Sequence, residues 1–153
     1  MKIGQGIDIH NIVESKELQK LGGVEFDLGY KILGHSDGDI ILHAISSAIS
    51  GALSLEDIGT YFSDKDEKNR NLDSLKILNF FIDKINQENY LISNIDITII
   101  CENIIFKNIK HQIISHLKTI LNTNNLSLKA TRFEKESNQI QCNVLLLLEK
   151  NNF

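Results

Sequence analysis

Both ends of the chain carry β-strand patterns, and segments with helical spacing return between them. In residues 2–9, isoleucines alternate with two glycines and an aspartate, a period of two that predicts a strand. Residues 126–134 and 142–149 are predicted as two closing strands. This order of elements predicts an α+β fold, in which a mixed β-sheet carries helices packed on one face.

Apolar residues recur at helical spacing in three internal segments, residues 40–53, 72–89 and 106–122. Asp37 or Asp39 is expected to cap the first of these helices, and Asp73 the second. Residues 95–99 alternate as a further strand, and residues 22–34 contain two short strand pieces separated by turn glycines.

Length and composition indicate one globular domain spanning residues 1–153. The chain is 42% apolar and 24% charged, close to the globular average. It has neither a signal-peptide pattern nor an uncharged apolar run of about 18 residues, so a cytoplasmic protein with no membrane association is expected. Cys101 and Cys142 fit a reduced compartment, and a net charge of -4 argues against nucleic acid as a partner.

The closing segment VLLLLE, residues 144–149, lacks polar alternation. Such a strand is covered on both faces of its sheet. A chain this small covers both faces most easily by self-association, so the sequence predicts an oligomer.

Asp8 and His10 are the first candidate metal ligands. They leave the same face of the predicted strand about 7 Å apart along the chain, and His43 follows in the first predicted helix. Two histidines and one carboxylate with an open fourth position are typical of a catalytic zinc site. The alternative is that Asp8 caps a turn and His43 is an ordinary polar residue at a helix edge.

The segment HSDGD, residues 35–39, lies at the predicted start of the first helix. Free backbone N–H groups and the helix dipole favour a phosphate there, although a capped turn has the same pattern. Asp39 precedes His43 by four residues, so we expect its carboxylate to orient the imidazole.

Two further polar segments are candidate parts of a site. The alternative for each is that its polar side chains are simply exposed to solvent. The first, an acidic region after the first helix, contains Glu56, Asp57, Gly59, Asp64 and Asp66. The second is TRFEK, residues 131–135, at the end of a predicted strand. His111 and His116 do not share a helix face cleanly and are predicted to be surface residues.

Five sequence blocks occur in order along nearly the whole chain. They are GxGxDxH at 4–10, GHSDGDxxLHA at 34–44, EDIGxxFSDxD at 56–66, DxTII at 96–100 and KATxxEK at 129–135. In order and spacing they resemble the 2-C-methyl-D-erythritol 2,4-cyclodiphosphate synthase family of the non-mevalonate isoprenoid pathway. The resemblance implies a homotrimer of α/β subunits with an active site at each subunit interface.

The resemblance also implies the reaction and its metals. The substrate 4-diphosphocytidyl-2-C-methyl-D-erythritol 2-phosphate would be cyclised with release of CMP, a phosphorus–oxygen lyase reaction. Zn²⁺ would be held by Asp8, His10 and His43. A second ion, Mg²⁺ or Mn²⁺, would bridge the diphosphate near Glu134.

Further roles follow from the resemblance position by position. His35 would stabilise the transition state, and Arg132, which replaces a family hydroxyl, can supply charge there instead. Residues 101–107 of a neighbouring subunit would surround the cytosine. The implied substrate contacts are Asp8, His10, His35, Ser36, Asp57, Gly59, Phe62, Asp64, Asp66, Cys101, Lys107, Thr131, Arg132, Phe133 and Glu134.

The chain departs from the family pattern on its nucleotide side. Ile104 and Ile105 stand where the family usually has a Pro-Lys pair, so Lys107 is the candidate replacement for the basic contact. Arg132 and Phe133 stand where hydroxyls are expected. These changes motivate an alternative, a trimeric homologue that binds metal and cytidine nucleotide without turnover; a zinc-dependent phosphoester hydrolase is a weaker one.

Overall fold

The computed structural model describes residues 1–34 and 36–152. In chain order the strands are β1 (Lys2–Glu14), β2 (Gln19–Leu21), β3 (Val24–Phe26), β4 (Tyr30–Ile32), β5 (Tyr90–Cys101), β6 (Leu126–Thr131) and β7 (Gln139–Lys150). The helices are α1 (Ile40–Ala52), α2 (Ile58–Tyr61), α3 (Ser74–Gln87) and α4 (Lys110–Ile120), with a 3₁₀ turn at Glu67–Asn69. The predicted α+β class is confirmed.

The main sheet has five strands in the order β4-β1-β7-β5-β6. Only the β5–β6 pair is parallel among its described strands. The closing strand β7 lies in the centre, between the first strand and β5. The predicted mixed sheet is therefore present, with the two ends of the chain paired at its middle.

The core lies between one face of this sheet and the helices. Inward residues of β5 and β7 are buried, among them Ile97, Ile99, Val144 and Leu148, and α1 packs across β1 and β7. Ile3, on the opposite face, is 69% exposed. Helices on one face are thus observed as predicted.

Gly4 and Gly6 allow α1 to lie directly on β1. A Cβ atom at these positions would lie 1.8 Å and 1.9 Å from backbone oxygens of α1, so only glycine fits this close approach. The contact brings His43, on α1, toward the face of β1 that carries Asp8.

Several element boundaries differ from prediction. β1 continues to Glu14, α4 begins at Lys110 rather than residue 106, and β6 ends at Thr131. Phe106 O accepts from Lys110 N at 2.9 Å, so a turn precedes the helix. The last difference has a backbone cause, because Glu134 has φ +58°, which a continuing strand does not adopt.

The strand β2 was not predicted at all. It pairs with β3 around a two-residue loop in which Gly22 and Gly23 have φ +61° and +82°. Two positive φ angles define the hairpin turn that Gly-Gly favours, so this dipeptide was the available signal. The short helix α2 likewise lies in a segment predicted as a loop.

Within residues 1–34 and 36–152, no helix has both the length and the hydropathy needed to cross a bilayer.

Candidate active site

A cavity of about 370 Å³ opens where β1, α1 and the segment after α1 meet. It is lined by Ile7, Asp8, His10, Ser36, His43, Ser47, Asp57, Ile58, Gly59, Phe62, Asp64, Asn69, Leu72 and Ile77. The structure therefore gathers the three predicted zinc ligands and Ser36, one of the predicted phosphate contacts, in one place. His35 lies outside the described residues.

The Asp8 carboxylate lies between two imidazoles. Its Oδ2 atom is 3.0 Å from His10 Nε2 and 3.9 Å from His43 Nδ1. Ligand atoms around a tetrahedral zinc ion lie about 3.4 Å apart, since each bond is about 2.0–2.2 Å. The two observed separations fall on either side of this value, and a carboxylate oxygen with two imidazole nitrogens are donor types that zinc takes in proteins.

The side chains of Asp8 and His10 contact each other and do not surround a common metal position. Among residues 1–34 and 36–152, no group of three or more His, Cys, Asp and Glu side chains is arranged as a ready metal centre. Asp8 and His10 are instead hydrogen-bonded to each other. This bond raises the pKa of His10 above its ordinary value, against the opposing effect of partial burial.

His43 has a second partner on its other ring nitrogen. Ser36 Oγ lies 3.0 Å from His43 Nε2, which leaves Nδ1 facing Asp8. A hydrogen bond at one imidazole nitrogen fixes the ring for metal binding through the other. Ser36 therefore orients His43.

Asp39 does not orient His43, so this prediction was wrong. Its buried carboxylate accepts hydrogen bonds from Gly22 N, Gly23 N and Leu42 N at 2.9, 2.7 and 3.1 Å. It thus caps α1, as one of the two predicted candidates, and also holds the β2–β3 hairpin. Burial raises the pKa of Asp39 in spite of these donors.

Asp37 connects the loop before α1 to the first turn of α3. Its carboxylate accepts from Ser74 N at 3.0 Å and from the Ser74 hydroxyl, and Lys20 Nζ lies 3.7 Å away. These contacts fix the backbone next to Ser36.

Cys142 lies opposite Asp8 on the neighbouring strand β7. Burial, and secondarily the charge of Asp8, raise the pKa of its thiol far above the ordinary value. Cys142 is buried and is not among the residues that line the cavity.

The acidic region after α1 contributes one wall of the cavity. Asp57, Gly59, Phe62 and Asp64 line it. Asp66 does not, because its carboxylate accepts from Lys68 N at 3.0 Å and caps the 3₁₀ turn. The substrate contact predicted for Asp66 thus has no support in the geometry.

An aromatic cluster that the sequence reading missed supports this wall. Phe62 and Tyr61 each pack on Phe80 of α3, with ring centroids 5.3 and 5.1 Å apart. Tyr61 also contacts Phe81 at 5.8 Å. Phe80 and Phe81 fall within the predicted helix of residues 72–89, and nothing in the sequence paired them with the site.

A second cavity, of about 380 Å³, lies at the parallel ends of β5 and β6. Cys101, Lys107, Thr131 and Arg132 line it, as do Glu102, Ile104, Ile105, Phe106, Lys110 and Ala130. The predicted nucleotide-contacting residues are therefore together, and Lys110 adds an unpredicted cation. Phe133 and Glu134 follow this cavity in the chain and are not among its lining residues.

The two cavities lie at the same end of the sheet. His10 on β1 is opposite Ile140 on β7, which in turn is opposite Cys101 on β5. Neighbouring strands are about 4.8 Å apart, so Cys101 and His10 are separated by about 10 Å across the sheet. One chain therefore presents a carboxylate-histidine cavity and a cationic cavity side by side.

His116 is not a surface residue, in contrast to the prediction. Its Nδ1 atom lies 2.8 Å from Gly22 O, and the side chain is half-buried against the β2–β3 hairpin. His111 is exposed as predicted.

A carboxylate and two imidazoles in one cavity, beside a cation-lined second cavity, indicate a class of protein: an α+β enzyme that acts on phosphates. The model of the YgbB family matches residues 1–149. A 2-C-methyl-D-erythritol 2,4-cyclodiphosphate synthase from Mycoplasmoides gallisepticum is 36% identical over 152 residues, 99% of this chain and 98% of its own. The chain belongs to the YgbB family.

Two further relatives agree. The synthase of the same name from Hydrogenobaculum sp. is 40% identical over 151 residues, covering 95% of this chain and 96% of its own. The solved CDP complex of Plasmodium falciparum IspF superposes with a TM-score of 0.85 at 36% identity, over 99% of this chain and 97% of that one. The resemblance carried by the five motifs is confirmed.

Proposed function

We propose that this chain is a 2-C-methyl-D-erythritol 2,4-cyclodiphosphate synthase. The 2-phosphate of 4-diphosphocytidyl-2-C-methyl-D-erythritol 2-phosphate attacks the β-phosphorus. A new phosphorus–oxygen bond closes the ring while the bond from the β-phosphorus to the bridging oxygen breaks, and CMP leaves with the electron pair. The names of the relatives support turnover over the alternative of a homologue that only binds nucleotide.

The observation that carries the proposal is the convergence of His10 and His43 on Asp8, with Ser36 on the far nitrogen of His43. These residues would hold Zn²⁺. Glu134 would hold Mg²⁺ or Mn²⁺, since magnesium binds through one or two carboxylates plus substrate phosphates. When bound, the divalent ions neutralise charge on the diphosphate, so that two anionic groups can approach.

The chain's own residues position the reacting groups. Ser36 and His35 would contact the phosphates, and Arg132 would offer its guanidinium to phosphate oxygens. Asp57 and Gly59 would hold the ribose and erythritol, with Phe62 and Asp64 completing the wall that α3 supports.

The second cavity, contributed by a neighbouring subunit, would receive the cytosine and the nucleotide phosphate. Its floor is apolar at Ile104 and Phe106, both buried, while Lys107 and Arg132 supply positive charge at the rim. A planar base on an apolar floor and phosphates beside cations match a cytidine nucleotide, which is the ligand of the Plasmodium falciparum relative.

A homotrimer would bring the two kinds of cavity from neighbouring subunits together. The open face of the sheet supports such an assembly, because Ile3, Ile7, Ile9 and Leu145 are 69%, 50%, 50% and 52% exposed. A patch of large apolar side chains on one sheet face is typical of an interaction surface.

The test combines an assay of substrate turnover with measurements of zinc content and native mass. Purified protein with the substrate and Mn²⁺ is expected to release CMP and the cyclic diphosphate in equal amounts, with one zinc per chain and a trimeric native mass. The absence of CMP at micromolar enzyme, together with tight CDP binding, would establish the binding-only alternative instead. Inorganic phosphate released from simple esters would indicate the hydrolase.

A further inference from the structure

Glu134 adopts a backbone conformation that is unusual for glutamate. Its φ angle is +58°, in the left-handed region. The other non-glycine residues described there are Ser54, Asn71, Asn89 and Asn122, and three of these directly follow helices α1, α3 and α4. Asparagine and helix C-terminal positions tolerate this region, whereas Glu134 follows a strand. A local contact is therefore expected to stabilise the left-handed backbone conformation of Glu134.

Glu102 supplies such a contact. Its Oε1 atom accepts a hydrogen bond from the Glu134 backbone N–H at 3.0 Å. The topology explains the meeting: β5 and β6 run parallel with Ile100 opposite Thr131, so the residues just beyond both strands emerge at the same edge of the sheet. The two glutamates are 32 residues apart in sequence.

Within the described residues, the segment around Glu134 forms few other hydrogen bonds with the rest of the protein. It follows β6, the edge strand of the sheet, and Arg132, Glu134 and Lys135 are exposed. The next backbone contact along the chain is at Asn138, whose carbonyl accepts from Ile12 N at 2.8 Å. Glu102 is thus well placed to set the backbone at Glu134.

Glu102 also borders both neighbouring cavities. It lines the cationic cavity of about 380 Å³ with Lys107 and Arg132, and a third cavity, of about 620 Å³, with Lys135 and Glu136. The residue that holds Glu134 therefore belongs to the segment proposed to receive the nucleotide.

We propose that Glu102 is a positioning residue, whose carboxylate holds the Glu134 backbone in its left-handed conformation and so directs the Glu134 side chain toward the divalent ion on the substrate diphosphate. This inference rests on the proposed function, which gives Glu134 its metal.

The test uses the assembled full chain and the variants Glu102→Ala, Glu102→Gln and Glu136→Gln. Glu102→Gln keeps a side-chain oxygen that accepts from the Glu134 N–H, whereas Glu102→Ala removes it. Glu136→Gln is the matched control, because it removes one exposed acid from the same cavity rim. Circular dichroism and the Tm of each variant establish that it folds.

The first readout does not depend on activity. Mn²⁺ binding in the presence of CDP is followed by the electron paramagnetic resonance signal of free Mn²⁺. We expect Glu102→Ala to weaken Mn²⁺ binding about fivefold, the effect of one lost hydrogen bond, and Glu102→Gln to stay within about twofold of the wild type. The Glu134 amide proton, assigned by selective labelling, should move upfield in Glu102→Ala only.

Turnover is the second readout. In Glu102→Ala the dependence of the rate on Mn²⁺ should move to higher concentration, while kcat at saturating Mn²⁺ falls less. Equal Mn²⁺ affinity in Glu102→Ala and the wild type would overturn the proposal. Equal losses in Glu102→Ala and Glu102→Gln would also overturn it, because they would make Glu102 a charge or a ligand rather than a positioning group.

The two proposals fail differently. A wild type that releases no CMP refutes the proposed function, while the Mn²⁺ and amide measurements still decide the role of Glu102. A wild type that turns over and binds Mn²⁺, with all three variants unchanged, refutes the role of Glu102 alone.

Discussion

The two loops that frame the candidate site are held in different ways. Residues 36–39, before α1, are fixed by two carboxylates: the half-buried Asp37 holds the start of α3, and the buried Asp39 holds α1 and the β2–β3 hairpin. Residues 132–138, after β6, are exposed along most of their length and contacted at Glu134 by one side chain. Several side-chain hydrogen bonds therefore fix the loop on the proposed zinc side, whereas one such bond from the described residues, at Glu134, contacts the loop on the proposed nucleotide side.

The difference matters because the chain departs from the family pattern on the proposed nucleotide side. Ile104, Ile105, Arg132 and Phe133 all lie there, whereas Asp8, His10 and His43 keep the family pattern. Substitutions at exposed positions such as Ile105 and Arg132 cost little stability, while the close contact of α1 with β1 restricts change around Asp8. We therefore expect large effects from changes on the zinc side and small ones on the nucleotide side.

The largest effect is expected for His43→Gln. Loss of one of three ligands should reduce bound zinc well below one per chain and lower the rate of CMP release about 1000-fold, since metal assistance contributes several kcal/mol to the transition state. Metal analysis and the CMP assay measure both. His111→Gln, on the exposed face of α4, is the control and should match the wild type. Full zinc content in His43→Gln would contradict the assignment.

Gly6→Ala should be the next largest, because its methyl group would meet a backbone oxygen of α1 at 1.9 Å. We expect the free energy of unfolding to fall by about 3 kcal/mol and zinc to bind more weakly, as α1 carries His43. Urea denaturation measures the first and metal titration the second. Gly51→Ala is the control, with its nearest contact at 3.8 Å, and should be neutral or slightly stabilising. Similar stability losses in both variants would refute the close-contact explanation.

Sequence patterns predicted the parts of the site that depend on local geometry. The period of two placed Asp8 and His10 on one strand face, and helical spacing placed His43 on α1. Gly4 and Gly6 were correctly predicted as strand residues. Their role in letting α1 pack closely on β1 could not be predicted, because it depends on where the helix lies in the folded chain. The zinc role of these residues came from the resemblance and is still a proposal.

Long-range hydrogen bonds were beyond sequence reasoning. Asp39 binds Gly22 and Gly23, 17 and 16 residues away, and four-residue spacing wrongly suggested His43 instead. Local periodicity carries no information about which loop a carboxylate meets after folding. The Glu102–Glu134 contact was missed for the same reason.

Asp39→Ala should be less severe than Gly6→Ala. It removes the cap of α1 and leaves two hairpin amides without their acceptor, which together should lower the free energy of unfolding by about 2 kcal/mol. Asp73→Ala, the control, removes the cap of α3 and a part-exposed ion pair of 3.7 Å with Lys20, and should cost about 1 kcal/mol. Equal losses in the two variants would mean that the hairpin contacts of Asp39 contribute nothing.

Asp39 also predicts a pH effect on stability. Burial raises its pKa in the folded state above the unfolded value of about 3.9, so the folded state binds this proton more tightly than the unfolded one. This group's contribution to the free energy of unfolding therefore falls as pH rises from about 4 toward the folded pKa. Subtracting the pH profile of Asp39→Asn from that of the wild type should isolate this decline; a difference that rises with pH would contradict it.

The smallest effect is expected on the nucleotide side, from Ile105→Lys. Ile105 is 75% exposed at the cationic cavity, so lysine can be accommodated, and it restores a basic residue where the family usually has one. We expect CDP to bind about threefold more tightly, since an exposed ion pair is worth at most about 1 kcal/mol, and the gain should shrink as salt screens it. Calorimetry with Ile105→Gln as the uncharged control separates charge from lost apolar surface. A gain of 100-fold, or an equal gain in Ile105→Gln, would show that this side of the site is as tightly organised as the zinc side.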